Sequence, residues 1–150
     1  MVLLLACAAA VALGEEKPRL VVFVCEHGSV KSLIASEWLG RLAAERGVRV
    51  RGISRGITPD AAVPAPIAEH LHGDGFDVGR FQPRQLQPAD IEGASRVVAI
   101  GAELPAWVSG SGLPVERWDE VPPASENYEA SRDALRRHIR ALLETLAARP

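Results

Sequence analysis

The stretch that most restricts how this chain can fold is Arg19–Cys25, RLVVFVC, together with the residues directly after it. The run is short, rich in β-branched and aromatic side chains, and has no polar alternation inside it, which is the pattern of a strand covered on both faces of a parallel sheet. A small polar loop, Glu26-His27-Gly28-Ser29-Val30-Lys31, follows at once. From Ser32 the pattern takes a helical period: Leu33, Trp38, Leu39 and Leu42 fall near one face, Glu37, Arg41 and Glu45 are polar, and Gly47 stops the helix. A buried parallel strand must be rejoined through a crossover, so this opening points to an α/β sheet.

The rest of the chain continues the alternation. Val48–Ser54 (VRVRGIS) reads as a second strand, and Pro64 and Pro66 precede a short helix over Ile67–His72 that Gly73 and Gly75 end. Arg96–Gly101 (RVVAIG) predicts a third strand and Leu113–Trp118 a fourth. Leu135, Ile139, Leu142 and Leu146 recur among Arg and Glu at helical spacing, the stripe of an amphipathic helix that packs on the sheet. Strand and helix in this order imply right-handed crossovers and a doubly wound, four-stranded parallel sheet flanked by helices, with a phosphate-binding loop after the first strand. One domain over residues 19–148 is expected, without repeats or low-complexity linkers.

Residues 2–13, VLLLACAAAVAL, stand apart from that domain. They are continuously apolar, too short for the roughly 20 residues of a membrane-spanning helix, and broken off by Gly14-Glu15-Glu16-Lys17-Pro18. This reads as a leader over 1–14 with cleavage after Gly14, which would make the domain periplasmic or secreted; a misplaced start would return it to the cytoplasm. A second reading takes Leu4-Leu5-Ala6-Cys7 as a lipid-attachment box, with a very short leader. The chain has two cysteines, and loss of the leader leaves Cys25 as the sole thiol, so neither a disulfide scaffold nor a thiolate zinc site is expected. Seventeen Lys and Arg against nineteen Asp and Glu, with no run of like charge, exclude the basic footprint of a nucleic-acid binder.

The loop between the first strand and the first helix lies where open α/β sheets bind ligands, at the carboxyl ends of strands. A short loop that wraps into a helix start turns successive backbone N–H groups inward as an anion nest, and the helix terminus adds partial positive charge. Such a nest, built from Glu26, His27, Gly28, Ser29, Val30 and Lys31, takes phosphate, sulfate or arsenate. The same field, with Lys31 and a hydroxyl bond from Ser32, favours a thiolate at Cys25 facing the bound oxyanion. Gly28 supplies the positive φ that a tight nest needs. The bland alternative is a cysteine packed at a strand end as a small hydrophobe. His27 either donates to substrate or covers the loop. His70, His72 and Asp74 read as a solvated helix end rather than a metal site, and Trp38, Trp107 and Trp118 as packing residues.

A Cys, five residues and then a basic residue followed by Ser, set between the first strand and helix, resembles the signature of the low-molecular-weight protein tyrosine phosphatases and the related arsenate reductases. Ser54-Arg55-Gly56 is similar to that family's Ser-Ala-Gly. The Pro-flanked helix with Gly75-Phe76-Asp77-Val78 and the stretch from Trp118 to Ala124 resemble further family segments, over roughly residues 19–148. The resemblance implies attack of Cys25 on phosphorus, a cysteinyl-phosphate held by the loop amides, and hydrolysis by water, with no cofactor.

The chain also departs from the pattern. Lys31 stands where the family has Arg, and a compact ammonium lacks the planar fork that grips two oxygens. Pro122 occupies the place of the family's acidic Asp, which leaves Asp119 or Glu120 as expected substitutes for leaving-group protonation. No thiol follows Cys25, so arsenate reduction through an internal cysteine cascade is excluded and an external thiol would be needed. Two classes of function follow. One is a cysteine-dependent enzyme acting on a phosphate or arsenate oxyanion, with a phosphoprotein or an external thiol as further partner. The other is a weakened oxyanion-binding module. With one Tyr and three Phe, the chain is poor in the aromatics that a phosphotyrosine pocket of this fold uses.

Overall fold

The computed structural model describes residues 16–148, so the expected leader, Cys7 included, lies outside the described residues. The elements run β1 (Arg19–Cys25), α1 (Lys31–Arg46), β2 (Val50–Gly56), α2 (Ala65–Gly73), α3 (Pro88–Ile91), β3 (Arg96–Ala99), α4 (Ala106–Ser109), β4 (Val115–Arg117) and α5 (Tyr128–Ala147). The four strands pair in parallel in the order β2-β1-β3-β4. The chain therefore leaves β1 to one side for β2 and crosses back to the other side for β3. That reversal opens a crevice at the carboxyl end of β1, the position at which doubly wound sheets bind ligands.

β1 lacks alternation because both its faces are covered. Val21, Phe23 and Cys25 pack with residues of α1, α2 and α5, among them Leu33, Leu39, Ile67, Leu71, Leu135 and Ile139. Val22 and Val24 point the other way, into a smaller cluster with Leu86, Ile91, Val97 and Val108. Trp118 lies against Phe23 with ring centroids 5.7 Å apart, and Trp38 meets Phe76 edge-on at 5.1 Å. Trp107 departs from these two: it stands 38% exposed on α4.

Element boundaries differ from expectation in instructive ways. β2 sits two residues later than its alternation suggests, because Gly47 closes α1 in the left-handed region and the Val48 N–H still donates to the Ala43 carbonyl at 2.9 Å. Arg19 then pairs with Val50 and Cys25 with Gly56, so β2 ends level with the cysteine. β3 stops at Ala99, two residues early, as the chain turns at Gly101 with φ +61°. β4 shortens to Val115–Arg117, and α2 lengthens to begin at Ala65. α5 begins at Tyr128, where the Asn127 side chain caps it by accepting from the Ala130 N–H at 2.9 Å. The four-residue helices α3 and α4 are too short to leave a period in the sequence. Among the described residues no helix is long and apolar enough to cross a membrane.

Candidate active site

The loop after β1 turns its carbonyls away from the crevice. The carbonyls of Cys25, Glu26 and His27 accept from the N–H groups of Ile57 at 3.2 Å, Thr58 at 2.8 Å and Asp60 at 3.1 Å, so the segment after β2 zips along the back of the loop. The backbone N–H groups from Glu26 to Lys31 donate to no acceptor among the described residues. They stand at the start of α1, a 16-residue helix whose first turn carries no acidic side chain and whose N-cap, Val30, offers no capping oxygen. Unpaired amides on a helix N-terminus carry partial positive charge.

Two glycines let this loop pack so closely. Gly28 has φ +63°, and a Cβ on it would lie 2.7 Å from the Gly56 nitrogen. A Cβ on Gly56 would in turn lie 2.8 Å from the Gly28 nitrogen. Both neighbours are backbone, which has no rotamer by which to yield.

Beneath the nest, hydroxyls connect the cysteine to the loop. Cys25, buried at 4% exposure, places Sγ 3.0 Å from Ser32 Oγ. Ser32 Oγ lies 2.7 Å from Ser54 Oγ, which donates to the Gly28 carbonyl at 3.1 Å. Each hydroxyl has one proton to give. With Ser54 donating to Gly28, Ser32 donates to Ser54 and the thiol donates to Ser32; a thiolate requires Ser32 to turn its proton toward Sγ and Ser54 to supply Ser32. On the outer side, Ser29 Oγ donates to Asp60 Oδ2 at 2.5 Å, and His27 Nδ1 donates to the Thr58 carbonyl at 3.2 Å, which leaves Nε2 free to accept.

Above the loop is a cavity of about 410 Å³. Cys25, Glu26, His27, Val30 and Lys31 line it from β1, the loop and the start of α1. Pro64, Pro66, Ile67 and His70 line it from α2 and its approach, Ile100 and Gly101 from the end of β3, and Pro123, Ala124 and Ser125 from the segment before α5. The Lys31 ammonium lies against Gly101, where a Cβ would sit 3.0 Å from Nζ, and no carboxylate among the described residues pairs with it.

The expected site residues thus fall into three groups. Cys25, Glu26, His27, Val30 and Lys31 share the cavity, while Gly28, Ser29 and Ser32 are buried beneath it and shape it. Asp119 and Glu120 do not line it. Asp119 accepts from Arg117 at 3.1 Å, and Glu120 pairs with His138, whose ring stacks on Trp118 at 4.6 Å. The Glu120 carboxyl is held below its ordinary range, first by its own backbone N–H and then by His138. Of the segment that carries them, Pro123 to Ser125 reach the cavity. Sequence reasoning did not assign a site role to Ser54 or to the α2 wall; the prolines ahead of α2 and its place beside the switch point were the available signals.

No protein-family model matches the chain, and no curated protein matches it in sequence. Its fold is that of the arsenate reductases and low-molecular-weight protein tyrosine phosphatases. The thioredoxin-dependent arsenate reductase of Corynebacterium glutamicum aligns with a TM-score of 0.72 at 21% identity, over 89% of this chain and 64% of that one. The arsenate reductase of Archaeoglobus fulgidus gives 0.66 at 20% identity, over 83% and 98%. The low-molecular-weight protein tyrosine phosphatase of T. tengcongensis gives 0.66 at 19% identity, over 85% and 99%.

Proposed function

We propose that this chain is a cysteine-dependent phosphatase that hydrolyses a phosphate monoester through a cysteinyl-phosphate. The observation that carries the proposal is the conjunction at the head of α1: a cysteine sulfur at the base of a nest of unpaired amides, opening into a cavity large enough for more than an oxyanion. The Cys25 thiolate attacks phosphorus, the S–P bond forms, and the ester oxygen leaves with its electron pair and a proton. Water then attacks phosphorus, and the S–P electrons return to sulfur as phosphate departs. The loop amides hold the equatorial oxygens in both steps, and because they are fixed before substrate arrives they need no reorganisation in the transition state. Lys31 supplies the positive charge as a point rather than a fork, so it lowers the energy of the bound anion with less directional control than an arginine.

The walls favour an ester over a bare oxyanion. Pro64, Pro66, Ile67, Ile100, Pro123 and Ala124 give the cavity an apolar side. Phosphate or arsenate gains nothing from such a surface, whereas the carbon skeleton of an ester does. No Phe, Tyr or Trp is among the cavity residues, which argues for a leaving group held by shape rather than by ring stacking.

A second reading, arsenate reduction completed by an external thiol, is favoured by a different observation: neither expected carboxylate acid lines the cavity. Hydrolysis of a small aryl phosphate by the 150-residue chain, beside Cys25→Ala and with arsenate as competitor, separates the two. Cys25-dependent turnover inhibited by arsenate supports the phosphatase. Absence of turnover, with thiol-dependent reduction of arsenate instead, supports the second reading.

A further inference from the structure

We infer that His70 is the proton donor to the leaving group. This rests on the phosphatase reading and completes it, because an alcohol or unactivated phenol leaves slowly unless its oxygen is protonated as the P–O bond breaks. The titratable side chains lining the cavity are Cys25, Glu26, His27, Lys31 and His70. Displacement at phosphorus runs roughly in line, so the leaving oxygen departs on the side opposite Sγ. Glu26, His27 and Lys31 belong to the loop that carries the nucleophile or to the helix start that follows it. His70 comes from α2, a separate wall of the same cavity.

The ring is also held. It stacks flat on Tyr128, centroids 4.3 Å apart and planes 6° from parallel. Tyr128 is fixed in turn by donating its hydroxyl to Asp74 Oδ2 at 2.8 Å, and Asp74 Oδ1 accepts from Arg132 at 3.2 Å. The phenol proton is thereby committed to Asp74 and does not compete with the imidazole. Among the described residues no hydrogen bond or ion pair engages the His70 ring nitrogens, which leaves them free for a ligand in the cavity. Asp119 and Glu120 are tied to Arg117 and His138 and do not line the cavity.

In the first step the His70 imidazolium gives its proton to the departing ester oxygen as the S–P bond forms, which releases a neutral alcohol and a neutral imidazole. In the second step the neutral imidazole takes a proton from the attacking water, the S–P bond breaks, and phosphate leaves with His70 protonated again.

The test is kcat/KM for a series of aryl phosphates of rising leaving-group basicity, measured on the 150-residue chain and on His70→Gln. kcat/KM reports the first chemical step, and His70→Asn serves as a second variant should His70→Gln fold poorly by its thermal midpoint. The expected loss grows along the series, reaching about 100-fold for phenyl phosphate, within the range of general acid catalysis, and staying several-fold or less for a dinitrophenyl ester that leaves unprotonated. A loss that is the same for every ester, or no loss, overturns the assignment of His70 while the phosphatase reading stands. An absence of Cys25-dependent turnover in the unaltered chain overturns both.

Discussion

Gly28 and Gly56 meet backbone to backbone, so closely that a Cβ on either would fall 2.7–2.8 Å from the other's nitrogen. This contact fixes the distance between the loop after β1 and the end of β2. It draws the Ser54 hydroxyl under the Gly28 carbonyl and lets the residues after Gly56 take the loop's carbonyls. The same zip occupies the loop's carbonyls and leaves its N–H groups from Glu26 to Lys31 without an acceptor among the described residues.

Gly56→Ala therefore damages the site as well as the fold. The added methyl group meets main chain, and relief requires the loop to shift, at a cost of about 2 kcal/mol or more. Chemical denaturation should show that loss. Vanadate should raise the thermal midpoint of the unaltered chain by occupying the loop, and should do so far less in the variant.

The hydroxyl chain predicts graded effects at two serines. Ser32→Ala removes the only side-chain hydrogen bond to Sγ among the described residues, and a bond to a charged group contributes about 1.5–3 kcal/mol, so kcat/KM should fall roughly 10- to 100-fold. Ser54→Ala leaves the Ser32 hydroxyl beside Sγ and should cost less. Steady-state kinetics on a common aryl phosphate checks the order, and an equal loss in both would contradict it.

At Lys31 the expected outcomes diverge by side chain. Lys31→Ala removes the only Lys or Arg side chain that lines the cavity among the described residues and should weaken inhibition by arsenate about tenfold or more. Lys31→Arg restores a bidentate donor and should keep or raise turnover, provided the longer side chain clears Gly101. Inhibition constants and kcat, measured side by side, test both.

Tyr128, the only tyrosine in the chain, links stability to alkaline pH. Burial first, then its hydrogen bond to Asp74 and the charge on that carboxylate, raise the phenol far above its ordinary range. An acid raised in the folded state ionises first in the unfolded chain. Its stabilising contribution is complete below about pH 10 and is lost as pH rises beyond it. Thermal midpoints at pH 8 and pH 11 should differ less in Tyr128→Phe than in the unaltered chain, and the Phe ring should keep the stack on His70.

The sheet, and the place of Cys25 and its loop at the end of β1, were legible because each rests on local chemistry. Arg19–Cys25 has to be covered on both faces, Gly47 has to end α1, and a polar loop between the two has to sit at a switch point. The site's far wall was not legible in the same way. Whether Asp119 or His70 lines the cavity depends on how the segment before α5 and the helix α2 fold over β1, and that is set by long-range packing such as Phe23 on Trp118. Asp119 and Glu120 lie in the right segment of the chain, yet Arg117 and His138 hold them elsewhere. Ser54 reads as one polar residue in a strand, and only the pairing of Cys25 with Gly56 brings it beside the loop.

On the proposed mechanism Cys25 carries the phosphoryl group between the two steps. The most direct measurement is rapid acid quench during turnover of an aryl phosphate, followed by mass analysis of the peptide that contains Cys25. One added phosphoryl group on that peptide, absent from Cys25→Ala, which should also lack turnover, is the predicted result. Turnover that persists in Cys25→Ala, or that proceeds in the unaltered chain with no trapped adduct and undiminished by alkylation of Cys25, would mean that Cys25 is not the nucleophile.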